Sequence, residues 1–331
     1  MSQIGLTLTR HLLREQQQHP RATGEFTSIL SQLATAAKVV SREVNKAGLV
    51  DILGFTGEKN VTGDEIQKLD IYAHEVFQEA LGYSGHFCVM ASEEDAGPIS
   101  IPDGVRPGSY AIAFDPLDGS SNIEVNVSIG TIFSIHRRVT SEGRGTAADL
   151  LQTGSSQIAA GYVVYGSATM LVFSTGTGVH GFTLDPSVGE FLLSHENIRI
   201  PARGKTYSVN ESYSPRWAPA MRKFVEGLKE SGDYTARYIG SMVSDVHRTL
   251  LRGGIFMYPG DQESPEGKLR LLYEGAPMAY LVEQAGGAAS TGSGPILDIK
   301  PTDLHQRTPV FLGSVEDVRA LERALASDSR D

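Results

Sequence analysis

Residues 110–121 constrain this chain more than any other stretch. Tyr110-Ala111-Ile112-Ala113-Phe114 is apolar throughout and β-prone at its ends, the pattern of a buried strand. It runs into Asp115-Pro116-Leu117-Asp118-Gly119-Ser120-Ser121, where two carboxylates leave the strand's carboxyl end with the Leu117 carbonyl between them. Hard divalent cations take oxygen ligands. Gly119 lets the backbone approach an anion closely, and the amides of Gly119, Ser120 and Ser121 can form an anion-binding nest. One loop could therefore hold cations and grip a phosphate. The same residues all favour turns, so the stretch alone reads equally as a plain turn.

A second acidic stretch shifts the reading. His86-Phe87-Cys88-Val89-Met90-Ala91-Ser92 has the composition of another strand, and Glu93-Glu94-Asp95 follows at its end. Parallel α/β sheets place their sites beyond the carboxyl ends of the strands. Two such ends bearing acids point to a metal cluster.

The bulk properties exclude several classes. With 331 residues, one large or two closely packed domains are expected. A net charge of −10 argues against nucleic acid as the main partner, yet not against a phosphorylated metabolite, because bound metal ions invert the local field. The single cysteine, Cys88, forbids an intrachain disulfide and lies in an apolar strand, so an inert thiol in a reducing compartment is expected. No secretory h-region and no apolar run of the roughly 20 residues needed to span a bilayer are present, which fits a soluble, cytoplasmic protein.

Along the chain, residues 1–22 are polar and read as a mobile arm. Apolar residues at Ile29, Leu30, Leu33, Ala37, Val40 and Val44 give an amphipathic helix, with Thr23-Gly24-Glu25 at its start as a generic anion site or a plain cap. Residues 60–64 read as a loop. Ile66, Leu69, Ala73, Val76, Phe77 and Ala80 form the face of a second helix, bracketed at its start by Asp64 and Asp70, which also answer the helix dipole. Strands are expected at 125–129, 131–135, 158–165, 170–174, 181–184 and 190–193, with a surface loop at 141–156. Near Ile200-Pro201 the strand-rich half gives way to alternating elements: helices at 215–228, 242–251, 276–284 and 315–326, strands at 236–239 and 254–258. The boundary divides the chain into 1–199 and 200–331.

Other signals carry less. Gly176-Thr177-Gly178-Val179-His180-Gly181 fits a dinucleotide fingerprint, but a strand pattern follows where a helix is required, so a hairpin turn is expected. Gly204-Lys205-Thr206 lacks the first P-loop glycine. The position where a cysteine phosphatase needs arginine holds Glu94, and the acids at 115 and 118 miss the spacing of aspartyl-phosphate enzymes. His247 and His305 have no partner histidine at metal spacing, so structural hydrogen bonding is expected. With no nucleophile left and many carboxylates present, attack by a metal-activated water is favoured.

Ser92-Glu93-Glu94-Asp95 followed by Phe114-Asp115-Pro116-Leu117-Asp118-Gly119-Ser120-Ser121-Asn122 resembles the metal-dependent, lithium-sensitive phosphatase superfamily, and within it class I fructose-1,6-bisphosphatase. Matching blocks continue in order, among them Asn60-Val61-Thr62-Gly63-Asp64, Asn210-Glu211-Ser212-Tyr213, Arg237-Tyr238-Ile239-Gly240-Ser241-Met242 and Lys268-Leu269-Arg270-Leu271-Leu272-Tyr273-Glu274. Tyr273-Glu274 stands where inositol-monophosphatase-like relatives carry Trp-Asp. The resemblance implies an α/β fold, a layered α-β-α-β-α sandwich with a strand-rich mixed-sheet first half and an alternating second half. It implies hydrolysis of the 1-phosphate of fructose 1,6-bisphosphate, with sedoheptulose 1,7-bisphosphate as the alternative substrate, by two or more Mg²⁺ (or Mn²⁺) per subunit.

By the same resemblance, Glu93, Asp115, Asp118, Glu274 and the Leu117 carbonyl are the metal ligands. Glu94 and Asp64 orient and deprotonate water, and Asp70 supports them. Gly119, Ser120 and Ser121 hold the 1-phosphate. Asn210, Tyr213, Tyr238, Tyr258 and Lys268 hold the 6-phosphate, Met242 touches the sugar, and Arg237 reaches a neighbour's site in a homotetramer. An AMP effector site would use Thr23, Gly24, Glu25, Thr27, Tyr110 and Arg137, with Ser109 replacing the lysine of animal members.

Overall fold

The computed structural model describes residues 5–17, 24–46, 49, 54–59 and 65–328. Helices α1 (Leu8–Gln17) and α2 (Glu25–Val44) lead to an antiparallel pair, β1 (Phe55–Lys59) and β2 (Glu65–Gln67), and to α3 (Lys68–Gly82). A run of strands follows: β3 (Phe87–Ser92), β4 (Ile99–Ser100), β5 (Tyr110–Asp118), β6 (Ile129–Arg137) and, after the short helix α4 (Ala147–Leu150), β7 (Gln157–Tyr165), β8 (Thr169–Ser174), β9 (His180–Asp185) and β10 (Glu190–His195). The second half comprises β11 (Thr206–Ser208), α5 (Pro219–Glu230), β12 (Thr235–Ala236), α6 (Met242–Arg252), β13 (Ile255–Tyr258), β14 (Leu269–Arg270), α7 (Ala276–Gln284), β15 (Ala288–Ser290), β16 (Arg307–Thr308), β17 (Val310–Gly313) and α8 (Val315–Asp328).

Two sheets carry the fold. The first has eight strands in the order β10-β9-β8-β7-β6-β5-β3-β4, and the second five, in the order β12-β11-β13-β17-β15. Side-chain alternation along the strands sorts the helices into layers. Phe114, Phe133, Phe173 and Phe182 face Ile29, Leu33, Val40, Leu69 and Phe77, so α1, α2 and α3 cover one face of the large sheet. Its other face presents Ile132, Tyr162 and Val172 to Val243, Val246, Met278 and Leu281 of α6 and α7. Those two helices are sandwiched, because Phe256, Val310 and Leu312 of the second sheet reach them from the far side. Ile255, Met257 and Phe311 point the opposite way, onto Met221, Val225, Val318 and Leu321 of α5 and α8. The order is helix, sheet, helix, sheet, helix, the layered sandwich that the resemblance implied.

Several local expectations are corrected. Within the stretch expected to be a polar arm, residues 8–17 are helix α1, and Leu8, His11 and Leu12 are buried. The strand beginning at Tyr110 does not stop at Phe114; it runs through Pro116 to Asp118, buried throughout. No strand forms at 125–128: the chain turns there, with Asn126 at φ 56°, and one strand begins at Ile129. The 141–156 loop contains α4, anchored by the buried Asp149, which accepts from the amides of Val139, Thr140 and Thr146 at 2.8 Å each. Ile66 belongs to β2 rather than to the face of α3, and residues 237–239 are not strand. The turn after Gly176 joins antiparallel strands β8 and β9, as expected of a hairpin.

Candidate active site

The large sheet is antiparallel except at one seam. β3 and β5 run parallel as direct neighbours, with Ser92 opposite Phe114, so their carboxyl ends open side by side. That single parallel pair brings Glu93 against Asp115 and Asp118 and places Glu94 in the lining of the same cavity. Glu274 arrives from the other half through a π-helical turn at 271–275 that leads into α7. These residues, with Gln67, Asp70, Leu117, Gly119, Ser120, Ser121, Tyr238, Ser241, Met242, Tyr258 and Arg270, line one cavity of about 480 Å³.

Ligand atoms of Asp115, Asp118 and Glu274 converge to within 4.8 Å of one another. Their carboxyls are buried, at 2%, 7% and 3% exposure. Burial raises all three above the ordinary carboxylate range, and Glu93 and the neighbouring acids push the same way. An all-oxygen set of crowded, desolvated carboxylates fits a hard divalent cation.

Each acid is held by its surroundings. Asp115 Oδ1 accepts from the Leu117 amide at 2.9 Å. Asp118 Oδ2 accepts from the Ser241 hydroxyl at 3.1 Å and the Val243 amide at 2.9 Å, at the start of α6. A carboxylate suits that place, where free amides and the helix dipole favour negative charge. Glu274 Oε2 accepts from the Arg270 amide at 2.5 Å, and the Arg270 guanidinium pairs with both Glu93 and Glu274.

Asp70 lies in the first turn of α3, where its Oδ2 accepts from the Gln67 amide at 2.9 Å in a capping box. Burial, opposed by that amide and helped by Glu93, raises it to about 7. The Gln67 side chain donates to the Ser120 carbonyl at 2.6 Å, and the Ser120 side chain also hydrogen-bonds Asp70, so Asp70 and Gln67 together brace the loop that follows Gly119. Gly119 needs to be glycine twice over: its φ is +78°, and a Cβ there would sit 2.9 Å from Ser241 Cβ. Asp64 and Thr23 lie outside the described residues.

Tyr258 opens onto an adjoining recess that it shares with Asn210, Tyr213 and Lys268. Lys268 Nζ stands 4.9 Å from the Tyr213 ring centre. Burial raises Tyr238, to about 12, and Tyr258, so both phenols stay protonated as donors. Arg237 lines neither space; it is exposed and donates to the Ala236 carbonyl.

At the far end of β5, the Tyr110 hydroxyl donates to Glu25 Oε2 at 3.1 Å, with the Arg137 guanidinium 5.8 Å from the Tyr110 ring. Gly24, at φ 84°, starts α2, and Thr27 Oγ1 donates to Gln16 on α1.

Four polar side chains of the main cavity escaped the sequence reading: Arg270, Gln67, Ser241 and Asp245. Asp245 accepts from the Ile239 and Gly240 amides and the Ser208 hydroxyl, fixing the turn before α6. None carries a signature by itself; each is recognisable only once the acids are placed. The histidines behave as expected, His247 bonding the Tyr162 hydroxyl and His305 bridging the Tyr273 hydroxyl and the Asp95 carbonyl. Cys88 is buried, and burial raises its thiol to about 11.

A second convergence, His11, Glu15 and His180, joins α1 to β9. His180 Nδ1 accepts from the Asn197 amide at 3.2 Å, which puts the ring proton on Nε2, the atom 3.8 Å from Glu15. A protonated nitrogen does not ligate a metal, so this group packs the helix onto the sheet.

Comparison with known proteins gives a consistent result. The family description "Fructose-1-6-bisphosphatase, N-terminal domain" matches residues 6–196, and its C-terminal counterpart matches 200–326. The chain is 57% identical over 325 residues to the fructose-1,6-bisphosphatase class 1 of Maridesulfovibrio salexigens, covering 96% of each chain. It is 57% identical over 323 residues to that of Chloroherpeton thalassium, covering 96% of this chain and 92% of the relative. The crystal structure of Leishmania major fructose-1,6-bisphosphatase in holo form superposes with a TM-score of 0.92 at 45% identity, covering 98% of this chain and 99% of that one.

Proposed function

Since the chain belongs to the class 1 fructose-1,6-bisphosphatase family, we propose a division of labour among the residues of its cavity. The reaction is hydrolysis of the 1-phosphate of D-fructose 1,6-bisphosphate to fructose 6-phosphate and phosphate; nothing among the relatives favours the sedoheptulose alternative. The family is metal-dependent, and Glu93, Asp115, Asp118, Glu274 and the Leu117 carbonyl would hold the cations, two or more Mg²⁺ per subunit with Mn²⁺ as a substitute. When bound, such ions supply Lewis-acid neutralisation of phosphoryl oxygens and lower the pKa of water.

The protein's own groups do the rest. The amides and hydroxyls of Gly119, Ser120 and Ser121 seat the 1-phosphate. Glu94, with Asp64, orients the attacking water and accepts its proton, while Asp70 keeps Gln67 on the Ser120 carbonyl. Asn210, Tyr213, Tyr238, Tyr258 and Lys268 receive the 6-phosphate through charge-assisted hydrogen bonds, roughly twice as strong as neutral ones. Met242 lies against the sugar. The division of roles follows the division of the chain, with 1–199 carrying most of the acids and 200–331 the sugar and 6-phosphate donors.

The observation that carries this reading is the single cavity in which the acids and the phosphate loop meet. Phosphate release from each sugar bisphosphate, with Mg²⁺ and then with excess chelator, tests it. Release from fructose 1,6-bisphosphate that stops on chelation is expected; no metal-dependent release would overturn it. The enzyme would serve gluconeogenesis or a Calvin-type cycle in the cytoplasm.

AMP regulation is proposed at Thr23, Gly24, Glu25, Thr27, Tyr110 and Arg137. The geometry of Glu25, Tyr110 and Arg137 supports it, while Ser109 brings no cation. Losing a charged partner costs about 1.5–3 kcal/mol. Inhibition by AMP is therefore expected but weak. An activity titration checks this, and either tight low-micromolar inhibition or none would refute it.

A further inference from the structure

The metal acids of β5 stand on an irregularity. Asp115 pairs with Ile132 and Asp118 with Gly130, so three steps along β5 match two along β6. Such a bulge bends the strand and leaves backbone groups outside the regular ladder. Pro116, inside it, has no N–H to give. Pro116 is buried, so its carbonyl needs a donor from elsewhere.

Thr131, the β6 residue between Ile132 and Gly130, supplies that donor. Its hydroxyl donates to the Pro116 carbonyl at 2.8 Å, and the side chain has no solvent exposure. The Tyr165 hydroxyl lies 2.9 Å from the same Thr131 oxygen. A carbonyl only accepts, so the threonine proton goes to Pro116 and the phenol must donate to threonine. Tyr165 reaches it as the diagonal cross-strand neighbour, since Thr131 pairs with Val163 on β7. Burial raises the phenol, which keeps its proton. The peptide unit joining Pro116 to Leu117 is therefore held at both polar ends, its oxygen by Thr131 and its N–H by Asp115. The Leu117 carbonyl is the next backbone oxygen along the chain from that held plane.

We propose that Thr131, backed by Tyr165, is a positioning residue that sets the Leu117 carbonyl and the spacing of Asp115 and Asp118 for cation binding. This rests on reading Leu117 and Asp118 as metal ligands. Neither Thr131 nor Tyr165 touches the cavity; they act through the backbone of the bulge.

The test compares full-length Thr131→Val, Thr131→Ser, Tyr165→Phe and Asp118→Asn with wild type. Calorimetric titration with Mn²⁺ alone reads binding without turnover, and melting temperature reads the fold. Supporting groups behind metal ligands are worth about 10–100-fold in affinity, so Thr131→Val should weaken Mn²⁺ binding by at least about tenfold. Thr131→Ser should recover most of it, and KM for the sugar bisphosphate at saturating Mg²⁺ should change little. Should Thr131→Val fail to fold, Tyr165→Phe is expected to weaken Mn²⁺ binding by a smaller factor. Wild-type Mn²⁺ affinity in the folded Thr131 and Tyr165 variants, even with a lowered melting temperature, overturns the proposal. Loss in Asp118→Asn alone places the failure in the positioning role. Wild-type binding in Asp118→Asn as well places it in the ligand reading, and the proposal falls with it.

Discussion

At Asp118, one carboxylate oxygen takes both the Ser241 hydroxyl and the Val243 amide, and in the proposed role the other faces a cation. Asp118→Asn keeps the shape and removes the charge. Its kcat is expected to fall by more than about a hundredfold, about 2.7 kcal/mol, with the melting temperature little changed; steady-state kinetics and a thermal scan decide it. His136 illustrates a different use of burial. It is 1% exposed, and burial lowers it to about 4. The unfolded chain takes up that proton near pH 6.5, so between about 6.5 and 4 the unfolded state binds more protons and the native state loses stability as pH falls. The full loss is on the order of 3 kcal/mol. His136→Leu should remove this component, so the stability of the variant relative to wild type should rise from pH 7 to pH 5. Denaturant unfolding at several pH values measures it, and parallel curves would refute it.

At the scale of elements, β6, β7 and α6 meet at Gly130. A Cβ there would lie 2.5 Å from the Val163 carbonyl and 2.7 Å from both Val243 methyls. Gly130→Ala is expected to cost about 1–3 kcal/mol or more, the range for overpacking. It should also lower kcat, because moving Val243 moves the amide that holds Asp118; unfolding curves and kinetics together check both. The elements that the sequence made legible are those with long, clean periods, such as α2, α3, β3 and the β7 to β10 hairpins. Helix α1 was not legible, because Leu8 and Leu12 are diluted by glutamines and charges, and its place is fixed by the sheet beneath it. The reach of β5 through Asp115 and Pro116 was hidden for a different reason. Both residues ordinarily end strands; here the strand continues through them across a bulge, with the Thr131 hydroxyl on the Pro116 carbonyl. Within the candidate site, Glu93, Asp115 and Asp118 were legible because each comes at or just after the end of an apolar run of sequence. Glu274 has no such context and was supplied by resemblance. Arg270 was missed, since one arginine among leucines shows nothing of the carboxylates it pairs with.

For the whole molecule, the exposed Arg237 beside Tyr238 and Ile239, which are 40% and 39% exposed, suits a surface covered by a neighbouring subunit. A homotetramer is the expected state, measured by light scattering. Arg237→Ala should raise KM for fructose 1,6-bisphosphate about tenfold, as loss of one charge-assisted contact would, while kcat changes little. An active monomer, or an unchanged KM, would refute the shared site. The grip of α6 on Asp118 has a wider consequence. Asp115 and Asp118 belong to the large sheet, but Glu274 and the amide that steadies Asp118 come from beyond residue 200. The proposed ligand set is therefore complete only while the large sheet and helices α6 and α7 keep their registry. In a chemical or thermal denaturation, activity should therefore vanish as soon as either the large sheet or the α6–α7 layer packed on it loosens. The enzyme's own rate is a gauge of that contact between layers.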